Sequence, residues 1–194
     1  MVGMLYKLAA VALWLGSTTT AVTITAHRAR VLGSSPCFAP VVLQCDNVPP
    51  RNCCGVVRPG SPFRAMLFSG LDSSGVPEQA TVFATGQNTP CGRSCNSDGG
   101  ASRLCVSCSQ TNPEIAGGFY FSPALKREEQ NCTNVLPNWA FIDGHKFAVY
   151  HNVPLDISER IIDFALGEGS IEQVDADLLA WEVPNEAEID ATAE

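Results

Sequence analysis

Apolar and polar positions alternate in short runs along the middle of the chain. Three such runs cover Phe63–Phe68, Ala80–Thr85 and Gly118–Phe121, and each is followed by a turn that contains Gly, Asn or Pro. Runs of this length, rich in β-branched and aromatic residues and bounded by turn residues, are typical of strands. The pattern therefore predicts a mainly antiparallel β body.

The strongest hairpin signal lies further along the chain. Trp139–Ile142 and His145–Tyr150 are two β-prone segments joined by Asp143-Gly144. Asp-Gly suits a two-residue turn in which both central residues have positive φ. We therefore expect a tight hairpin over residues 139–150.

Helical periodicity follows the hairpin. A helix is predicted over Asp156–Leu166, with Asp156 as the N-cap, Glu159 completing a capping box and Gly167 as the stop. Ser170-x-x-Gln173 opens a second, shorter helical candidate. The predicted apolar face of the first helix consists of Ile157, Ile161, Phe164 and Ala165, and the second carries Val174 and Leu178. The expected fold class is α+β, a disulfide-stapled, mainly antiparallel β body with one or two short C-terminal helices. The Ile157/Ile161/Phe164 face should pack on the hairpin.

The N-terminus has the layout of a secretory signal peptide. Lys7 precedes an uninterrupted apolar run over Leu8–Gly16, and a stretch of small residues follows it. Cleavage is predicted after Ala21, with Ala26 as the fallback. The run spans nine residues, whereas a membrane-spanning helix needs about 20. The sequence therefore predicts residues 1–21 as a signal peptide and a secreted, extracellular product with no membrane partner.

Nine cysteines lie between residues 37 and 132, and no cysteine follows them. Such a density in an exported chain predicts a disulfide framework. The eight cysteines expected to form it are Cys37, Cys45, Cys53, Cys54, Cys91, Cys95, Cys105 and Cys108. Cys132 is the candidate for the unpaired thiol, which would allow a dimer through the odd cysteine. Cys53 and Cys54 are adjacent and should reach different partners, because adjacent residues meet disulfide geometry only with strain. The connectivity stays open.

Zinc is the competing interpretation of four of these cysteines. Cys91-x3-Cys95 and Cys105-x2-Cys108 form two close pairs of thiols, a spacing that suits tetrahedral zinc. An oxidising compartment favours disulfides instead. We therefore expect no metal and no cofactor.

The proposed organisation has four parts. Residues 22–36 are predicted as a flexible or β-prone leader, 37–183 as a single disulfide-rich α+β domain and 184–194 as a disordered acidic tail, after the signal peptide. Lys126-Arg127 is a candidate processing site for a secretory-pathway protease. Asn131, in Asn131-Cys132-Thr133, is a candidate glycosylation site.

Charge is shared unevenly. The net charge is −8, and ten acidic residues but no Lys or Arg follow Arg160. Binding to phosphate backbones needs clustered Lys and Arg, so nucleic acid is a poor partner. The acidic end either keeps the protein soluble or docks on the more basic cysteine-rich half.

The sequence contains no catalytic motif of the common hydrolase, metalloprotease or nucleotide-binding types. His145 and His151 would share a face if the strand continued through both, and Arg160 and Asp143 are candidate helpers for acid–base chemistry. His145 is read more simply as a polar residue beside a turn. The chain is therefore expected to be non-enzymatic.

The signal peptide, the cysteine-rich β-prone body and the doublet Cys53-Cys54-Gly55 resemble the small secreted cysteine-rich proteins of filamentous fungi. Many of those are treated as effector candidates, and the resemblance carries over no functional residue. It implies an effector-like, non-enzymatic interaction protein that binds an extracellular protein or glycan. The alternatives are a small secreted hydrolase with an unrecognised site and a precursor processed after Lys126-Arg127.

Overall fold

The structure is a computed structural model that describes residues 21–28, 36–56, 63–72, 75–84, 91–108, 114–123, 133–167 and 169–184. Of this part of the chain, 50% is in strands and 17% in helices. The α+β expectation is therefore wrong, and the fold is β-rich. The difference arises in residues 139–184, which were expected to supply one or two short helices after the hairpin. They add three strands to the seven-stranded sheet and contribute one helix longer than a single turn.

Twelve strands lie in the described ranges. In chain order they are β1 (Val22–Arg28), β2 (Val41–Val48), β3 (Asn52–Gly55), β4 (Phe63–Ser69), β5 (Gln79–Ala84), β6 (Ser94–Gly99), β7 (Arg103–Ser107), β8 (Ile115–Phe121), β9 (Thr133–Val135), β10 (Trp139–Ile142), β11 (His145–Ala148) and β12 (Glu182–Val183). The helices are α1 (Leu155–Leu166) and α2 (Ala176–Leu179), and short 3-10 turns cover Pro36–Phe38 and Ile171–Gln173.

The strands form two sheets packed face to face. One has seven strands in the order β12-β11-β10-β2-β1-β4-β7, and the other has five in the order β6-β5-β8-β3-β9. Strand pairs are antiparallel except β3 with β9. β4 packs against β8, and β2 against β3. This arrangement is a β-sandwich, whose core is filled by the inward side chains of both sheets.

Close approach of the two sheets depends on a glycine. A Cβ at Gly118 of β8 would lie 2.8 Å from the Phe68 ring and 2.9 Å from the Met66 sulfur on β4. Nearby, the buried Tyr120 hydroxyl donates to the Val48 carbonyl at 3.0 Å and so joins β8 to the end of β2. Burial, with a smaller contribution from the Glu78 charge, raises the pKa of Tyr120 to about 12.

The predicted hairpin is confirmed. β10 and β11 pair in register around Asp143-Gly144, and these two residues have φ values of 51° and 88°. The helix is present too, but its start and its face differ from the prediction. Pro154 is the N-cap without a side-chain hydrogen bond, so Asp156 lies inside the first turn. The buried face consists of Ser158, Ile161, Ile162 and Ala165, whereas Ile157 and Phe164 are only half-buried.

Local polar contacts explain the shifted helix start. The Tyr150 amide donates to the Ser158 hydroxyl at 2.9 Å, and that hydroxyl donates to the Pro154 carbonyl at 3.0 Å. Glu159 accepts from the Tyr150 hydroxyl instead of completing a capping box. The capping box at Ser170 and Gln173 does form, but it opens a 3-10 turn rather than a helix.

The segment predicted as a flexible or β-prone leader begins with a strand. Residues 22–28 form β1, which lies between β2 and β4 in the seven-stranded sheet, and Val22 and Ile24 are fully buried. Cleavage at the fallback site after Ala26 would remove most of this strand. Residues 1–20 of the predicted signal peptide, 29–35 of the leader and 185–194 of the acidic tail lie outside the described residues.

Candidate recognition surface

Four disulfides connect the eight cysteines of the described ranges. The pairs are Cys37–Cys105, Cys45–Cys54, Cys53–Cys91 and Cys95–Cys108. Cys45–Cys54 and Cys95–Cys108 each join the seven-stranded side to the five-stranded sheet. The adjacent Cys53 and Cys54 reach different partners, as geometry required.

The four thiols considered for zinc are therefore divided among three disulfides. Cys91 and Cys105 pair outside the proposed quartet, and only Cys95 and Cys108 pair within it. The described ranges also contain no cluster of His, Cys, Asp and Glu side chains arranged to hold a metal ion.

One short segment is anchored on the outer face of the seven-stranded sheet. We call residues 36–40 the Phe38 turn. Cys37 is bonded to Cys105 of β7, the Ala39 carbonyl accepts a hydrogen bond from the His27 ring, and the Pro40 carbonyl accepts from the Arg28 amide at 3.1 Å. Ala39 is buried, whereas the Phe38 residue between these anchors is 78% exposed. The fold therefore presents an aromatic side chain to solvent on a fixed turn.

His27 of β1 is the buried side of this anchor. Its Nδ1 donates to the Ala39 carbonyl at 2.8 Å, since a carbonyl can only accept, and this leaves Nε2 to accept from the Thr25 hydroxyl at 2.9 Å. Burial lowers the pKa of His27, and the Arg103 charge lowers it further against the opposing effect of the Ala39 hydrogen bond. His27 is thus a neutral structural residue.

A second set of polar side chains joins β10 to β2 on the outer face. Asp46 accepts from the Trp139 indole and, at 2.7 Å, from the Gln44 amide. The Asp46 amide donates to the Asn138 side chain at 2.7 Å, and the Lys146 ammonium lies 4.1 Å from the Trp139 ring centre. These groups satisfy one another, so the cluster holds the sheet together.

The histidines considered for acid–base chemistry do not share a strand face. His145 lies in β11 and donates from Nδ1 to Glu182 of β12 at 2.6 Å. His151 is exposed in a loop where Tyr150 and Asn152 have positive φ, so strand alternation ends before it. Asp143 lies in the hairpin turn.

Arg160, the other candidate helper, pairs with two acidic residues of the C-terminal region. Its guanidinium donates to Asp177 at 2.6 Å and to Asp175 at 2.7 Å. The hydrogen bond that Arg160 donates lowers the pKa of Asp177, and the same hydrogen bond raises the pKa of Arg160. These two acids are therefore bound within their own region rather than docked on the cysteine-rich half.

An open cleft of about 400 Å³ lies where β2 and β10 diverge, and its lining includes Arg28, Phe141, Asp143 and Ala165. Arg28 donates to the Ala165 carbonyl at 2.6 Å and to the Leu166 carbonyl at 3.3 Å. These contacts place a positive charge at the carbonyl end of α1, where it is favourable. They tie the end of β1 to the helix.

Four predicted site residues lie outside the described part of the chain: Lys126, Arg127, Asn131 and Cys132. Phe38, conversely, was not singled out from the sequence. An aromatic residue beside a cysteine is too common a pattern to mark a surface, and only the pairing of Cys37 with Cys105 shows that Phe38 is held there.

Fold and disulfides together define a small, cysteine-rich β-sandwich of the kind suited to an extracellular setting. A family model named ARB_05566_N, an N-terminal domain, matches residues 28–138, more than half of the 194-residue chain. The chain belongs to this family, and the match together with the disulfides fits a cysteine-rich fungal protein. Neither the curated proteins nor the solved structures contain a significant match. Within the described residues, no helix combines the length and apolar character needed to cross a membrane.

Proposed function

We propose that this protein is a secreted, non-enzymatic interaction protein that binds an extracellular protein through Phe38, in the manner of an effector acting outside the cell. The observation that carries the proposal is the 78% exposure of Phe38 on a turn fixed by a disulfide and two hydrogen bonds. Its anchors make Phe38 different from an exposed apolar residue on a loose loop.

Rigid presentation favours binding in two ways. Burying a phenylalanine side chain against a partner contributes about 1.5–3 kcal/mol. A turn whose backbone is already anchored loses little further conformational entropy when it binds. Aromatic anchors of this kind dominate the energetics of protein interfaces, which is why a protein partner is proposed here rather than a glycan.

The described polar groups support a non-enzymatic role. His27, Asp46, His145 and Arg160 each have a structural partner. An acid–base site would bring such groups together in a pocket with perturbed pKa values. The positively and negatively charged groups named above instead fasten strands and helices to one another.

The test compares two exposed apolar residues on different elements. Full-length secreted protein would be immobilised and exposed to extracellular protein fractions, and any captured partner would be purified and titrated. Phe38→Ala should weaken binding at least about tenfold. Leu155→Ala, at a site 67% exposed on α1, should leave the affinity unchanged.

Two results would contradict the proposal. Equal affinity of the Phe38→Ala and unmodified proteins would remove Phe38 from the interface. Saturable binding to chitin or β-glucan that survives Phe38→Ala, without any protein partner, would show a glycan-binding protein instead.

A further inference from the structure

The disulfide that anchors the Phe38 turn differs from the other three in its exposure. Cys105 is exposed on β7 and Cys37 is half-buried. Cys45, Cys53 and Cys54 are each no more than 1% exposed, and both Cys95 and Cys108 are partly buried against the core. Cys91 is half-buried, as Cys37 is, so Cys105 is the only described cysteine that lies in an exposed position.

Exposure matters because disulfide exchange requires a thiolate to reach a sulfur atom. Strand alternation in β7 places Arg103 on the same outer face as Cys105, since both are exposed while Leu104 between them is buried. A neighbouring guanidinium attracts the incoming thiolate and stabilises the Cys105 thiolate that is released when the mixed disulfide is resolved. The site thus places an exposed disulfide-bonded residue beside a positive charge.

We propose that Cys37–Cys105 is a thiol-exchange site, which a small external thiol opens before the other disulfides of the described chain. The thiolate attacks the Cys105 sulfur, the bond between the two cysteine sulfurs breaks, and Cys37 leaves as a thiolate. A second thiol then resolves the mixed disulfide at Cys105. The protein disulfide is reduced to two thiols, and two molecules of the external thiol are oxidised to one disulfide.

Opening this bond removes the covalent anchor of the Phe38 turn. The turn then keeps the hydrogen bonds from His27 to Ala39 and from Arg28 to Pro40, while Cys45–Cys54 and Cys95–Cys108 still join the sheets. The consequence for binding rests on the function proposed above, because it requires Phe38 to be a contact residue. The exchange chemistry itself does not.

The experiment uses the full-length oxidised protein and dithiothreitol as the probe thiol. Thiols present at the start, including Cys132 if it is reduced, are first blocked with one alkylating label. Dithiothreitol is then added without denaturant, samples are quenched with a second label, and peptide mass spectrometry assigns each labelled cysteine. Cys37 and Cys105 should acquire the second label at least about tenfold faster than the other six paired cysteines.

Arg103 variants show whether the local positive charge, and not solvent exposure alone, sets the rate at which Cys37–Cys105 opens. Arg103→Gln should slow the opening of Cys37–Cys105, and Arg103→Lys should restore most of the rate because it keeps the positive charge. Hydrogen exchange at the amides of Cys37, Phe38 and Ala39 should rise in the partly reduced protein, while the amides of β1 and β2 stay protected.

Earlier opening of Cys95–Cys108 or of Cys53–Cys91, or simultaneous opening of all four disulfides, would contradict the proposed exchange site. Unchanged hydrogen exchange at the amides of Cys37, Phe38 and Ala39 after opening would contradict the release of the turn. Neither readout needs a binding partner. Failure of the proposed function would appear separately, as Phe38→Ala leaving partner affinity unchanged.

Discussion

The cysteine-rich part of the molecule and the part that follows it are stabilised by different means. We call residues 22–138 the stapled body and residues 139–184 the C-terminal region. Four disulfides link the stapled body, whereas the C-terminal region contains no cysteine and holds itself through apolar burial, strand pairing and ion pairs. The difference shows that one sheet can be built from a covalently constrained part and a part held by packing.

The two regions are connected by a short strand pairing, by hydrogen bonds and by a shared hydrophobic core. β10 and β2 share only two register pairs, Trp139 with Gln44 and Ala140 with Leu43. Asn138, the last residue of the stapled body, is bonded to β2 by its amide and its side chain, and its carbonyl accepts from the Val149 amide of the C-terminal region at 3.0 Å. One hydrophobic core extends through both regions, and α1 packs against β2 as well as β10. The match to the family's N-terminal domain ends at residue 138, directly before β10.

The largest expected loss of stability comes from a substitution that disrupts the packing of the C-terminal region. Ile161→Asp should lower the free energy of unfolding by about 4 kcal/mol or more, because Ile161 is fully buried and a charge there would lose water without gaining a partner. Leu155→Asp on the same helix is the control, and its effect should stay within about 0.5 kcal/mol. Chemical denaturation would measure both. Equal stabilities would mean that α1 does not pack on the sheet in solution.

A smaller loss is expected from breaking the polar join. Asp46→Ala should cost about 1–3 kcal/mol, because it removes the acceptor of the Trp139 indole and of the Gln44 amide. Asp98→Ala, which removes an exposed carboxylate on β6 whose hydrogen bond is local, from the Gly99 amide, is the matched control. Thermal melting would show an Asp46-specific decrease. A decrease of the same size in both variants would show that the Asp46 hydrogen bonds do not stabilise the contact between β2 and β10.

The stapled body should have its own pH dependence through His27. Burial lowers the pKa of His27 in the folded state, so the unfolded chain binds the proton more readily. Stability is then full above the ordinary histidine pKa and falls as pH decreases towards the folded-state value. His27→Asn should flatten this slope in denaturation between about pH 7 and 5. The same dependence of unfolding free energy on pH in both proteins would show that His27 is not the group responsible.

The smallest effect concerns the exposed ion pairs of the C-terminal region. Arg160→Gln should raise the pKa of Asp177 towards the ordinary aspartate range, because the hydrogen bond from Arg160 is the main cause of its lowering. It should change thermal stability little, since exposed ion pairs are weak and screened by salt. A nuclear magnetic resonance titration of the Asp177 carboxyl would measure the shift. An unchanged pKa would show that the contact does not persist in solution.

Sequence patterns predicted the local elements of both regions better than their assembly. The Asp143-Gly144 turn and the strand runs were readable because turn chemistry and alternation act over a few residues. The strand β1 falls in the segment predicted as a leader, and its position between β2 and β4 depends on pairing with residues that are distant in the sequence. The α+β expectation was wrong because the C-terminal helices are short, whereas the strands of the same region continue the seven-stranded sheet.

The candidate surface was harder to predict than the elements. Cysteine density indicated the disulfides, but eight cysteines allow 105 pairings, and the covalent anchor of the Phe38 turn is one particular pair. The helix face was shifted because Ser158, a polar residue, is buried by its bonds to Tyr150 and Pro154. Such contacts join residues whose proximity depends on the chain's path rather than on local pattern.

The central claim is that the stapled body and the C-terminal region unfold as one domain despite their different means of support. Native-state hydrogen exchange of the oxidised full-length protein tests it directly, through the opening free energies of amides in β1 and β2 and of amides in β10, β11 and α1. The account predicts that the most protected amides of both regions share one opening free energy and one denaturant dependence. Opening of residues 139–184 at a distinctly lower free energy, with β1 and β2 still protected, would contradict it.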